Sequence, residues 1–232
     1  MNPNTDPQEL AKFSANARQW WDTQGAMRTL QHINPVRLDF IERHCTLQGL
    51  RVVDVGCGGG VLSEGLAARG ASVVGIDAGG QVLQAAREHR DAGSYRIDYE
   101  LATAEQYATD NAGRFDVVTC MELLEHVPAP DSVINACAAL VRPGGHLFFS
   151  TINRNWKAYA GAVLAGEYLL SALPRGTHDY ANFIKPSELA TWCRAAGVRV
   201  KNISGMEYNP FSTKAALTRN PSINYLLYAL AP

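Results

Sequence analysis

Short apolar runs alternate with longer stretches of helical periodicity between residues 51 and 152. The apolar runs are rich in β-branched and aromatic residues, which predicts strands at RVVDVG, SVVGID, RIDYELAT, FDVVTCM and HLFFSTI. The segments between them space their apolar residues three and four apart, and several end in glycine, as helices do. This alternation predicts right-handed βαβ units and a mainly parallel sheet.

The regions on either side of this core have their own patterns. The first fifty residues are amphipathic and predict two helices, one across FSANARQWWD and one across NPVRLDFIERH with Pro35 at its first helical position. Within the core, DSVINACAALV predicts a helix with Asp131 as its N-cap, and RPGG predicts a turn before the fifth strand. After a pause, PSELATWCRAAG predicts a last helix, and strands are expected near 198–208 and 222–230 with a polar connection between them.

We therefore expect a sheet of seven strands with an antiparallel last strand. No linker divides the chain, so residues 1–232 are predicted to form a single domain. Its parts are a helical cap at 1–49, a ligand-binding core at 50–152, an insertion or lid at 153–184, and the rest of the sheet at 185–232.

Composition narrows the classes of protein to which the chain can belong. A formal net charge of −1 with 47% hydrophobic residues favours a large core and no nucleic-acid partner. The five cysteines form no C-x-x-C pair, which indicates reduced thiols in a cytosol-like compartment. The N-terminus lacks the basic and apolar regions of a secretory signal, so we expect a cytoplasmic protein.

A glycine-rich loop, DVGCGGG (54–60), follows the first predicted strand. At this crossover Gly56 and Gly58 let the backbone turn sharply and approach a ligand. Val61 replaces the third glycine of the dinucleotide fingerprint, and the Gly-Lys-Ser/Thr of a P-loop is absent. Asp77 ends the second strand, where a carboxylate accepts both hydroxyls of a ribose. The implied ligand is an adenosyl group that carries an amino acid and no phosphate chain.

The segment CMELLEHVP (120–128) follows the fourth predicted strand and contains Glu122, Glu125 and His126 at positions i, i+3 and i+4. This spacing suits a divalent ion, Mg²⁺ or Zn²⁺. It equally suits a metal-free His126 base that a carboxylate orients. The same spacing also occurs where the acids only favour a helix N-terminus and the histidine packs. Between metal and base the sequence does not choose.

The glycine loop, the acid that ends strand two and PGG (143–145) resemble the class I S-adenosylmethionine-dependent methyltransferases, which have a Rossmann-like α/β fold. A wider set of segments resembles the ubiquinone-biosynthesis O-methyltransferases, which methylate phenolic hydroxyls on polyprenylated rings. These segments are WWD (20–22), HINPVRL (32–38), DVGCGGGVLSE (54–64), DVVTCMELLEHVP (116–128), PGGHLFFSTINRN (143–155), LPRGTHDY (173–180), IKPSEL (184–189) and YNP (208–210).

The resemblance implies a set of site residues. Contacts to S-adenosylmethionine are implied for Arg37, Gly56, Gly58, Asp77 and Met121. In eukaryotic relatives the acidic-histidine triplet is taken as a metal site, which here implies Glu122, Glu125 and His126.

Methylation of a phenol calls for a base or a cation beside the acceptor oxygen. The reference pKa of a phenol is near 10, so a mechanism that needs the phenolate has a handicap of about 4 kcal/mol at pH 7. Glu122 and His126 are the leading catalytic candidates, and His178 in RGTHDY is a second, weaker candidate for the base. A histidine beside an aspartate in a loop is also often part of a local hydrogen-bonded turn.

The implied acceptors are polyprenylated hydroxyphenol and demethylubiquinol intermediates. Methylation of another small acceptor is a rival, and so is a module that only senses adenosylmethionine, although a sensor needs no base. Residues 156–174 are apolar with basic flanks, which fits either an ordinary helix on the sheet or contact with anionic lipids at the inner membrane surface. Association with other quinone-biosynthesis enzymes is left open.

Overall fold

The computed structural model of the chain describes residues 4–25, 27–93, 95–158 and 180–232. Its strands are β1 (Arg51–Val55), β2 (Ser72–Asp77), β3 (Ile97–Leu101), β4 (Phe115–Met121), β5 (Val141–Ile152), β6 (Arg199–Asn209), β7 (Lys214–Thr218) and β8 (Asn224–Leu230). They form one sheet in the order β3-β2-β1-β4-β5-β8-β6-β7.

The helices cover the faces and the carboxyl edge of this sheet. The α-helices are α1 (Pro7–Ala15), α2 (Arg28–Glu42), α3 (Val61–Ala67), α4 (Gly80–Gly93), α5 (Ala104–Asn111), α6 (Pro130–Leu140), α7 (Trp156–Ala158) and α8 (Pro186–Ala195). Short 3₁₀ turns lie at Ala17–Gln19, Leu124–His126 and Tyr180–Asn182.

Strand pairing confirms the predicted fold class, a mainly parallel α/β sheet of Rossmann-like type. The first five strands pair in parallel, and β8 lies antiparallel between β5 and β6. Among the described residues the sheet has eight strands, where seven were expected. The additional strand, β7, lies in the segment predicted as a polar connection. It forms an antiparallel hairpin with β6 and packs Ala215 and Leu217 against the core. This strand depends on that tertiary packing, and its short sequence of mixed polarity does not predict it.

The core consists of two apolar layers, one on each face of the sheet. Consecutive strand residues alternate between the layers: Val52 and Phe148 pack beneath α2, α3 and α4, whereas Val53 and Phe149 pack beneath α5, α6 and α8. A strand that is buried on both faces has apolar side chains on both of them. Polar side chains that act on a ligand are therefore found at the strand ends.

Four local predictions about the bounds of helices and strands were wrong. The first predicted helix ends at Ala15, before the tryptophans. Helix α2 begins at Arg28, so Pro35 lies inside it, where its nitrogen cannot donate the helical hydrogen bond. Pro130 takes the first position of α6, which leaves Ala129 as N-cap in place of Asp131. The residues of the predicted RPGG turn lie within β5.

Most of the predicted insertion lies outside the described residues. Residues 159–179 of the segment 153–184 are among those not described, so the division of the chain into four parts stays a prediction. Across the described ranges, no helix combines the length and apolar character that crossing a membrane requires.

Two glycines on neighbouring elements provide a matched test of the packing. A Cβ on Gly75 in β2 would lie 2.7 Å from the Tyr99 ring and 2.9 Å from Cys57 Sγ, whereas a Cβ on Gly80 would meet nothing within 4 Å. We expect Gly75→Ala to lower the free energy of unfolding by about 1–3 kcal/mol through overpacking. Gly80→Ala should change it by less than about 0.5 kcal/mol. Urea unfolding measures both, and equal midpoints would contradict this account of the β2–β3 packing.

Candidate active site

One cavity lies at the carboxyl edge of the parallel strands, where open α/β sheets bind their ligands. It is formed by the ends of β1, β2, β3 and β4 and is covered by α1 and the segment that leads to α2. Most of the predicted site residues line it: Arg37, Gly56, Gly58, Asp77, Met121, Glu122 and His126. Glu125 is not among the lining residues. His178 lies outside the described residues, so its predicted role stays a prediction.

The glycine loop is fixed from its outer side by two tryptophans. Gly56 and Gly58 have φ angles of 71° and 54°, which favour glycine. Trp20 packs so closely that a Cβ on Gly58 would lie 2.3 Å from its ring. The Trp21 indole N–H donates to the carbonyl oxygen of Gly59 at 2.8 Å. The WWD segment therefore sets the shape of the loop from outside the sheet.

Asp77 is held in one orientation by the backbone of the same cavity wall. Its Oδ2 accepts the N–H of Gly58 at 2.9 Å, and its Oδ1 accepts the N–H of Gly79 at 2.7 Å. Withdrawal from water raises the pKa of this carboxyl, and the backbone N–H groups oppose that shift. Each oxygen keeps further capacity to accept a hydrogen bond, so the carboxylate fits the two hydroxyls of a ribose.

Arg37 projects from α2 into the cavity with unsatisfied donors. Its side chain is buried, and Nε and Nη2 make no hydrogen bond with any residue that the structure describes. Nη2 lies 3.5 Å from Oε1 of Glu122, close enough for charge attraction but without a hydrogen bond. A buried guanidinium that lacks acceptors is costly. A ligand carboxylate would supply them, as the amino-acid end of the predicted ligand does.

Asp54, at the end of β1, is a lining residue that we did not predict. It is almost fully buried and accepts the hydroxyls of Ser63 and Thr119, each at 2.7 Å. Burial raises its pKa to about 6 against the opposing effect of these two hydrogen bonds. The sequence contained the signal, since an acid within a run of valines is out of place in a strand buried on both faces.

The acidic-histidine segment has an unusual backbone. Glu122 has a φ of 55°, a left-handed conformation that costs free energy in a non-glycine residue. Its carboxylate accepts the Ser150 hydroxyl at 2.7 Å and lies 3.4 Å from the amide nitrogen of Asn224. Glu125 is buried; its Oε2 accepts the Thr151 hydroxyl at 2.8 Å, and its Oε1 has no hydrogen-bond partner in the described part of the chain.

The predicted metal site at Glu122, Glu125 and His126 does not fit this structure. Glu122 and Glu125 accept the hydroxyls of Ser150 and Thr151, which are adjacent on β5 and so point to opposite faces of the sheet, whereas His126 contacts Glu9 on α1. The prediction assumed an α-helical turn. Instead, residues 124–126 form a 3₁₀ turn after the left-handed Glu122, so the spacing no longer places the side chains on one face. Within the four described ranges, no three His, Cys, Asp or Glu side chains form a group suited to a metal ion.

His126 is paired with an acid from the N-terminal helix. Its Nδ1 lies 2.7 Å from Oε2 of Glu9. Burial lowers the pKa of His126, but this hydrogen bond and the charges of Glu125, Glu9 and Glu122 outweigh burial and raise that pKa above 6.5. The hydrogen bond to His126 is the main cause that lowers the pKa of Glu9 to about 2.

The pairing of Glu9 and His126 stabilises the fold over a limited range of pH. A depressed acid pKa contributes stability above 4.5 that is lost as the pH falls towards about 2. A raised histidine pKa contributes stability that is complete below 6.5 and is lost as the pH rises through the raised value. Both contributions are therefore complete between pH 4.5 and 6.5.

Known proteins resemble the chain over nearly its whole length. A family model described as a methyltransferase domain matches residues 27–202. A protein from Aromatoleum aromaticum is 55% identical over 229 residues, covering 99% of this chain and 98% of its own. One from Azoarcus sp. strain BH72 is 54% identical over the same shares, and one from Azotobacter vinelandii is 52% identical over 97% of each chain. All three are named ubiquinone biosynthesis O-methyltransferase.

Solved structures share the fold at lower identity. Magnesium protoporphyrin IX methyltransferase from Synechocystis PCC 6803, solved with bound SAH, has a TM-score of 0.68 at 19% identity and covers 97% of this chain and 94% of its own. The same enzyme with bound SAM has a TM-score of 0.67 at 18% identity over 100% of both chains. At this identity the likeness establishes the fold alone.

Proposed function

The chain belongs to the ubiquinone biosynthesis O-methyltransferases, and from this premise we propose the reaction of its cavity. It transfers a methyl group from S-adenosylmethionine to phenolic hydroxyls of polyprenylated hydroxyphenol and demethylubiquinol intermediates. The main observation behind the proposal is that one cavity contains both a set of cofactor-binding candidates and a candidate base. A ribose- and carboxylate-binding set (Arg37, Asp77 and the glycine loop) lies beside the imidazole of His126.

The residues of the cavity fit S-adenosylmethionine, which supplies an electrophilic methyl group on a sulfonium when it is bound. We assign the ribose hydroxyls to Asp77, whose oxygens are already aimed by Gly58 and Gly79. The unsatisfied N–H groups of Arg37 bind the amino-acid carboxylate. Gly56, Gly58 and the buried Met121 at the end of β4 line the same cavity, and we assign them to the wall against which the ligand packs.

His126 is the proposed general base. It takes the proton of the acceptor hydroxyl on the ring nitrogen opposite Glu9 as the methyl group is transferred, so the reaction does not depend on the small fraction of phenolate present at pH 7. Glu122 acts beside it: its carboxylate is anchored by Ser150 and faces Arg37 at 3.5 Å, so it keeps the guanidinium directed into the cavity. His178 stays a second, weaker candidate for the base.

No metal ion is needed for this proton transfer. The left-handed Glu122 and the 3₁₀ turn at Leu124–His126 do not place the three side chains on one face, and Glu125 does not line the cavity. We therefore assign the triplet separate roles and derive no step through a metal.

A polyprenyl acceptor partitions into membranes, so we keep the proposal that residues 156–174 contact anionic lipids. Trp156 is 72% exposed at the start of this segment, and residues 159–174 lie outside the described part of the chain. Apolar residues with basic flanks suit partial insertion among anionic headgroups. Sedimentation with anionic vesicles should remove the protein from the supernatant, less so at high salt. Equal recovery with and without vesicles would contradict the proposal.

The assignment of Asp77 predicts the cofactor affinity of a variant. Asp77→Ala leaves the ribose hydroxyls without an acceptor, and each unmet polar group costs about 1–3 kcal/mol. Calorimetry should therefore show S-adenosylmethionine affinity reduced about tenfold or more. Asp98→Ala, an exposed acid on the neighbouring strand β3, is the matched control and should bind as the wild type does. Unchanged affinity in a folded Asp77→Ala protein would remove Asp77 from the site.

The assignment of His126 predicts a loss of turnover with little change in cofactor binding. For His126→Gln we expect kcat with a short-chain demethylubiquinol to fall by about 10²–10⁴-fold, the usual contribution of a general base. His146→Gln, at the opposite edge of the sheet, is the control and should keep its activity.

A metal chelator tests whether His126 acts as a base without a metal ion. It should leave wild-type turnover unchanged because the proposed base acts without an ion. Activity lost to a chelator and restored by Mg²⁺ or Zn²⁺ would contradict the metal-free base. Full activity in His126→Gln would contradict the role of His126 itself.

A further inference from the structure

The N-terminal helix brings a carboxylate to the proposed base from far away in sequence. Glu9 on α1 and His126 are 117 residues apart, yet Oε2 and Nδ1 are separated by only 2.7 Å. The two side chains are 14% and 9% exposed, so the contact is largely shielded from water. Exposed ion pairs often contribute nothing measurable, but a shielded contact inside a cavity is a stronger and better-defined interaction.

The position of α1 is fixed independently of this contact. One turn before the helix, the Asn4 amide donates to Glu105 at 2.8 Å and to the carbonyl oxygen of Ala129 at 2.9 Å. The N–H of Ala129 donates back to Asn4 at 2.9 Å. These bonds attach the N-terminal segment to the loop that follows His126. Glu9 is thereby presented to the imidazole by a clamped element and not by a free chain end.

A second residue of α1 restrains the same imidazole. Phe13 lies one helical turn after Glu9 and therefore on the same face of α1. Its ring meets the His126 ring at right angles, with 5.0 Å between the centroids. The carboxylate and the phenyl ring together fix both the position of Nδ1 and the plane of the imidazole.

We propose that Glu9 is a positioning residue for methyl transfer: it holds His126 in the tautomer with the proton on Nδ1 and so leaves Nε2 to receive the acceptor's proton. The proposal rests on the proposed function, since it requires His126 to be the base. A neutral imidazole carries one proton, and a carboxylate accepts a hydrogen bond only from the nitrogen that bears it. Without that partner the two tautomers compete, and only one of them can accept the proton on the side of the substrate.

The charges around the imidazole are consistent with this role. Glu9 faces His126 from α1, and Glu122 and Glu125 face it from its own segment. Lys12 occupies the other oxygen of Glu9 at 2.5 Å, which helps to keep Glu9 ionised. When Nε2 takes the phenolic proton, the imidazolium keeps its Nδ1–H on Glu9. Glu9 remains a carboxylate and balances the new positive charge until the proton passes to water.

The experiment is Glu9→Gln, read by nitrogen NMR of the histidine ring and by kinetics. Glutamine is neutral and can either donate or accept, so His126 should lose its single tautomer. Its pKa should fall, because the carboxylate that raises it is gone. The acid limb of the kcat/KM profile should move to lower pH with it. We expect kcat to fall about tenfold or more while S-adenosylmethionine affinity stays within about threefold.

Two further variants separate positioning from a purely structural role. Lys12→Gln removes the other partner of Glu9 but leaves the contact with His126, and it should keep the wild-type tautomer and pH profile. Glu9→Asp keeps the charge and should restore the tautomer in part. If Glu9→Gln does not fold, the same NMR and kinetic measurements are made on Glu9→Asp.

The outcomes distinguish this inference from the proposed function. An unchanged tautomer and pKa of His126 in Glu9→Gln would overturn the inference and leave the base assignment standing. A changed imidazole with an unmoved kinetic limb would show that His126 is not the base, and both would fail. Weaker cofactor binding and lower thermal stability with intact kcat would make Glu9 only a clamp for α1, which overturns the inference.

Discussion

Parallel pairing of β1 with its neighbours β2 and β4 is the constraint on which the site depends. It directs the carboxyl ends of these strands to one edge, and the helices on both faces leave that edge as the place where polar side chains can meet a ligand. Asp77 and Met121 are the last residues of β2 and β4, and Asp54 is the last but one of β1. The chemistry of the chain is concentrated there because the apolar layers exclude it elsewhere.

Buried charged groups in the cavity strengthen its interaction with a ligand of complementary charge. Arg37 and Asp54 are almost fully buried, and Arg37 has donors that none of the described residues satisfies. Folding places these groups in a medium of low dielectric, where each interacts more strongly with a complementary charge than it would in water. A zwitterionic ligand with a carboxylate and a positive sulfonium complements such a site. The folded protein is therefore preorganised for this ligand, because the complementary groups are already in place before it binds.

The parts of the site that follow from local sequence could be predicted, and the parts that depend on distant contacts could not. The glycine loop and Asp77 belong to one strand–loop–helix–strand unit, so their place at the cavity could be predicted from their spacing alone. The geometry of the triplet failed because it depended on a left-handed Glu122 and a 3₁₀ turn, which side-chain spacing does not reveal. Glu9 could not be predicted as a site residue, since only the docking of α1 brings it to His126.

The contacts between the N-terminal cap and the glycine loop bear on how such enzymes can be recombined. Trp20 packs on Gly58, Trp21 binds Gly59, and Asn34 donates to the carbonyl oxygen of Val61 at 2.8 Å. A chimera that borrowed its first fifty residues from another methyltransferase would keep every strand of the sheet and its connections. It would nevertheless lose one wall of the cavity and the outer support of the loop. Cap and loop are therefore a single module for protein engineering, although the whole of β1 separates them in sequence.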